Sequence, residues 1–213
     1  MTLSMKNIRS LALVAVALAG LGGLAGCTRN DSPDTAALDA ALHTYLAKRG
    51  DLCLAKNTWP IDLTQHEIDS GARNALQLPV LERLGLARSE VAEVDVNDEG
   101  TLHHMKVRRY ALTDAGRKFY ITRGDGARGG DFCAARLSLD RIVGWELHGS
   151  GAQRRAVVTY TYRVDAAPWT KDAEVQKVFP MVAGVIRGAG TAQLQETFAR
   201  GDAGWIAVDL QGT

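Results

Sequence analysis

The sequence predicts an α+β fold, with helices concentrated in its first part and an antiparallel β-rich part with one helix in its second. Two patterns lead there. From Thr35 the run AALDAALHTYLAK places Leu38, Leu42, Tyr45 and Leu46 on one helical face. VVTYTYRV, residues Val157 to Val164, alternates instead: Val158, Tyr160, Tyr162 and Val164 share one face, while Thr159, Thr161 and Arg163 share the other. Between them lies a glycine-rich joint, RGDGARGG, at residues 123–130. A chain of 213 residues suits one domain, or two small parts sharing a core.

Each element follows from its own signals. Asp34 or Thr35 caps the first helix and Gly50 ends it, with Cys53 close behind. Ile61 to Ala87 reads as helical in two pieces, opened by Asp62 or Thr64 and broken at Ser70-Gly71. Leu76, Val80, Leu81 and Leu84 give the second piece its stripe, and Gly85 stops it. Pro79, which has no backbone donor, calls for a break or a fresh start just before it. Val91, Val94 and Val96 then suggest a strand, Asn97 to Gly100 a turn, and Met105 to Leu112 the returning strand. Thr113 caps a short helix through Tyr120, with Phe119 and Tyr120 turned inward. Beyond the joint, Phe132 to Trp145 and Val157 to Val164 read as strands. Thr170 caps a helix through Phe179 whose inner face is Val175, Val178 and Phe179. Ala192, Leu194, Glu196 and Phe198 share one face of the next strand, Gly201 to Gly204 turns it, and Trp205 to Leu210 returns.

The N-terminus carries an address. Lys6 and Arg9 precede Leu11 to Leu24, an apolar run broken by four Ala and three Gly, and Leu24-Ala25-Gly26-Cys27 closes it. A positive flank, a short apolar core and small residues before a cut describe a secretory signal at residues 1–26. The run is shorter than the roughly 20 apolar residues a bilayer span needs. Met5 is a second plausible start. Leu-Ala-Gly-Cys resembles the lipobox of bacterial lipoproteins. That resemblance implies a diacylglycerol on the Cys27 sulfur, cleavage before Cys27, and acylation of the new amine. Such an anchor, at about 0.8 kcal/mol per buried methylene, does not release. Thr28 stands where Asp favours inner-membrane retention in that family, so the resemblance implies an outer-membrane anchor facing the periplasm. Residues 27–35 then form the lipidated cysteine and a short polar tether.

Cysteine arithmetic follows. With Cys27 lipidated, Cys53 and Cys133 remain as an even pair in an oxidising compartment, and a disulfide between them is expected; the alternative is two unpaired buried thiols. Charge excludes one class of function. The formal net charge of +1 becomes −1 once Lys6 and Arg9 leave with the signal, which is no nucleic-acid binder's excess.

Residues 36–122 nevertheless carry a second resemblance. LPVLERLGL, a hairpin and YALTDAG resemble the winged-helix domains of DNA-binding proteins over roughly residues 60–120. That family reads DNA with Lys, Arg, Asn or Gln on one helix. NALQLPVLERLGL offers only Asn74, Gln77 and Arg83, and Arg108 and Arg109 on the hairpin are an ordinary solvated edge. The resemblance therefore implies the fold without the nucleic acid. Thr113 serves as a cap and Gly116 as a point of close packing.

No catalytic, cofactor-binding or metal-ligating residue is singled out. His103 and His104 are neighbours on a strand and face opposite ways. Gly124, Gly126 and Gly129 spell G-x-G-x-x-G, but Asp131-Phe132-Cys133 and a β-like run follow where a dinucleotide site needs a helix. Ser150 and His148 sit in one glycine loop, and Asp140, Glu146 and Asp165 are scattered acids. NALQLPVLERLGL, YALTDAGRKFY, DFCAARLSLDRIVGWE and VTYTYRVDAAPW together resemble bacterial lipoproteins labelled carbapenem-cluster K protein, which implies a β-lactam-related binding or protective role. The expectation is a lipid-anchored envelope protein, held to the membrane through Cys27, that binds an envelope protein or a small ligand. A hydrolase of envelope or β-lactam substrates with a non-contiguous site is the alternative.

Overall fold

The computed structural model describes residues 33–98, 101–122 and 129–211, all within a compact unit spanning Ser32–Thr213. It is a mixed α and β protein in which every strand pairing is antiparallel.

Helix α1, Thr35–Arg49, starts where Asp34 Oδ1 accepts from the Ala37 amide at 2.6 Å and ends on Gly50. Strand β1, Asp51–Cys53, follows at once. Ile61–Thr64 is strand β2 rather than the start of a helix. Thr64 is extended and closes a capping box with Glu67, so the helix, α2 at Gln65–Asp69, begins only after it. Helix α3, Arg73–Arg83, runs straight through Pro79. The expected break is overridden because Leu78 and Leu81, on either side of the proline, are fully buried and hold that turn against the core. Strands β3, Ala87–Asp98, and β4, Thr101–Leu112, form the expected hairpin; part of its turn, Glu99 and Gly100, lies outside the described residues. His103 pairs with Val96 across this hairpin, and His104 with Asp95. β2 adds to the far edge of β4, giving a three-stranded sheet in the order β2-β4-β3.

Thr113 then does what its position promised. Its hydroxyl accepts from the Gly116 amide at 3.1 Å and donates to the Gly85 carbonyl at 2.6 Å. The helix it caps, α4 at Asp114–Arg117, is shorter than expected, and Tyr120–Thr122 is strand β5. A β-carbon at Gly116 would lie 1.9 Å from the Leu86 carbonyl oxygen, so only glycine lets α4 approach the hairpin.

β6, Gly130–His148, is the long central strand of the second sheet. It pairs with β5, with β1 and with β7, Arg155–Ala166. Register shifts at Leu139/Arg141 and Ile142/Gly144 interrupt the β6–β7 ladder, as bulges that bend a sheet do. The one helix expected in this part is two, α5 at Ala173–Val178 and α6 at Pro180–Arg187. Proline at 180 has no amide to continue α5 and instead opens α6. Thr170 lies in a one-turn 3-10 segment, and Asp172 caps α5 in its place. β8, Gln193–Gly201, and β9, Gly204–Ala207, complete the order β1-β6-β7-β8-β9.

Two hydrophobic clusters bind these pieces, and both cross the glycine-rich joint. Leu38, Leu42 and Leu46 of α1 pack on Val158, Tyr160, Phe198 and Trp205 of the second sheet. Leu63, Leu78, Leu81 and Tyr110 pack with Phe132, Trp169, Val175 and Phe179. The first and second parts of the sequence therefore share their cores.

A candidate ligand groove beside a buried lysine

Cys53 and Cys133 face each other across β1 and β6 and form the expected disulfide. The Leu54 amide donates to the Phe132 carbonyl at 2.8 Å, which extends the pairing by one more residue. Ala55 then turns the chain at φ 56°, a conformation costly for any residue with a side chain. Lys56 follows. Its amide donates to Asp131 Oδ1 at 2.8 Å, and its side chain runs inward until only 3 % of the residue is exposed.

A lysine this buried needs partners, and those it finds are amide oxygens. Nζ donates to Asn74 Oδ1 at 2.7 Å and to Gln77 Oε1 at 2.9 Å. Gln77 passes the chain on, donating from Nε2 to the Val178 carbonyl at 2.9 Å. The Phe179 ring stands 6.0 Å from Nζ. Burial, and next the nearby Arg73 guanidinium, push the Lys56 pKa down to about 8, against a smaller upward pull from Asp131.

Directly outside this network lies a groove of about 380 Å³. Leu52, Leu54, Phe179 and Val182 supply its apolar walls, and Gln77 and Arg73 its polar groups. Met181, 76 % exposed, stands on the rim. None of the lining residues is acidic, and among the described residues no acid pairs with Arg73. The volume falls at the small end of the range for small-molecule sites, which are mostly apolar with a few convergent polar groups. A second depression, about 330 Å³ between Lys118, Asp165 and Pro168, is rimmed by Asp51 and Arg136, which bind each other at 2.7 Å.

The other residues weighed from sequence lie elsewhere. His104 bonds Asp95 at 2.5 Å on the exposed hairpin. Asp140 accepts from Thr161 and stands 3.9 Å from Arg163, while Glu146 stands 3.7 Å from His148. Arg109 is not available to a phosphate: Asp62 holds it through two bonds of 2.7 Å, and that hydrogen bonding keeps the Asp62 pKa below its ordinary value. Gly124 and Gly126 of the G-x-G-x-x-G run, and Cys27, lie outside the described residues.

Of the residues weighed as possible sites, Cys53 and Gln77 line the groove, and Asn74 bonds Lys56 behind it. Nothing in LAKNTW marks Lys56, because a lone lysine gives no sign of burial. The one signal in the sequence was its position just after Cys53, at the end of a stapled strand.

Fold and site thus define an antiparallel α+β protein with a cation-flanked apolar groove. Comparison with protein-family models, curated proteins and solved structures finds no match.

Proposed function

We propose that the chain is a lipid-anchored envelope protein, tethered through Cys27 and facing the periplasm, that binds a small ligand rather than transforming it. The groove between β1, α3 and α6 carries this proposal, because it joins apolar walls to two polar groups without an acid among them. The lipobox-like Leu24-Ala25-Gly26-Cys27 supplies the anchor, and the Cys53–Cys133 disulfide suits an oxidising compartment.

The winged-helix resemblance belongs here too. The order β2, α2, α3, β3, β4 and the sheet order β2-β4-β3 support it. Its DNA-reading use is opposed by the flank of α3. Gln77 bonds the end of α5, Arg83 bonds Asp172 at 2.7 Å, and Leu78 and Leu81 pack with Val175 and Phe179. A helix so covered has little left to insert into a groove of DNA.

Native mass spectrometry of the protein extracted gently from bacterial membranes tests the groove. A retained small-molecule mass is expected, and Met181→Asp, a change on an exposed rim residue, should abolish it. A retained mass indifferent to Met181→Asp, or no retained mass at all, overturns the proposal.

A further inference from the structure

We propose that the ligand of this groove is a small amphiphile, an apolar body bearing one anionic group, with the anion on the Arg73 guanidinium and the apolar body along Leu52, Leu54, Phe179 and Val182. The proposal rests on the groove being the binding site argued above. Its ground is charge complementarity. The lining holds one cation and no acid, and Arg73 has no acidic partner among the described residues. A second cation, Lys56, lies one hydrogen bond behind Gln77, and both oxygens that its Nζ bonds belong to neutral amides. Lys56, buried behind the wall, and Arg73, exposed at the mouth, together set a positive potential at one end of an apolar trough. A neutral ligand leaves that potential unanswered. A free small anion answers it but leaves the apolar walls in water.

The same geometry gives the complex a pH dependence. The charged groups around the Lys56 ammonium are Arg73 from α3 and Asp131 from β6; Asn74, Gln77 and Phe179 fill the remaining contacts. Arg73 disfavours the charged form of Lys56, and an anion beside Arg73 relieves that repulsion. Binding therefore takes up protons near pH 8, and by linkage affinity falls as pH rises through that value.

Calorimetric titration of the full oxidised chain carrying Cys27→Ser, with decanoate, decyl phosphate, decanol and inorganic phosphate as probes, tests this. Decanoate or decyl phosphate should bind at one site, and the two together tell a carboxylate from a phosphate preference. Decanol and inorganic phosphate should each bind on the order of ten-fold more weakly, or not at all, since a charge-assisted bond is lost in one case and apolar burial in the other. Arg73→Gln, at an exposed position where folding is not at stake, should cost on the order of ten-fold for decanoate and leave decanol unchanged. Lys56→Met should flatten the fall in decanoate affinity between pH 7 and pH 9.

Decanol binding as tightly as decanoate, or an affinity indifferent to Arg73→Gln, overturns the proposal. A retained neutral molecule in the membrane-extracted protein that is sensitive to Met181→Asp, with decanoate ignored, overturns it while leaving the groove as the binding site. No retained molecule and no bound probe overturns both.

Discussion

At the scale of single residues, the buried Lys56 makes stability depend on pH. Its pKa moves from the ordinary 10.5 to about 8, so between those values the folded protein has released a proton that the unfolded chain still holds. Stability attributable to this residue therefore rises with pH across that window, by up to about 3 kcal/mol. Chemical denaturation of wild type and Lys56→Met at pH 7 and pH 10.5 should show the difference between them shifting in favour of wild type; a constant difference would refute the buried charge. Gly116 makes a sharper prediction. Gly116→Ala drives a methyl into the Leu86 carbonyl and should destabilise by about 2 kcal/mol or more, measured by thermal melting. Both residues were exposed to sequence reasoning to different degrees. Thr113 and Gly116 declare themselves through cap chemistry, which is local. The burial of Lys56 depends on what Ala55, Gln77 and Phe179 do, and no local pattern encodes that.

Among elements, the disulfide and the α5 cap are the most exposed to test. The Cys53–Cys133 bridge spans a sequence separation of 80 and joins β1 to β6. In the chain-entropy account such a loop is worth about 4 kcal/mol. Urea denaturation with and without a reductant should recover most of it. Asp172 has two roles: its Oδ1 accepts from the Glu174 and Val175 amides and from Arg83. Asp172→Ala should lower the melting temperature, chiefly as a lost cap, since the Arg83 side of the pair is half in solvent. Arg83→Ala alone should lower it less, and a loss equal to or greater than that of Asp172→Ala would refute the cap's leading share. The elements that sequence misplaced have two causes. Ile61–Thr64 lies against β4, Pro79 sits between two buried leucines, and Pro180 divides α5 from α6. In the first two cases a tertiary neighbour outweighed the local preference. In the third, a proline the pattern had passed over imposed the division.

For the whole molecule, alternation and helical stripes were enough to give an antiparallel α+β body, and the cysteine pair was legible from arithmetic. The interleaving of the two parts was not, because it arises from α1 crossing to the second sheet and Phe132 entering the first cluster. Replacing Cys27 by Ser should move the protein from the membrane to the soluble fraction on cell fractionation; retention on the membrane would remove the lipid anchor from the account. The pairing of β1 with β6 also sets an order of assembly. A chain delivered N-terminus first presents α1 and β1 long before their partner strand arrives, whereas β2, β3 and β4 find one another within about fifty residues. The small sheet is thus free to close early, while the first helix and the first half of the disulfide must wait. Pulse-labelled hydrogen exchange should see β3–β4 amides protected before those of β1, and the groove, walled by β1 and α6, becomes available only after β1 has paired with β6 and α6 has followed.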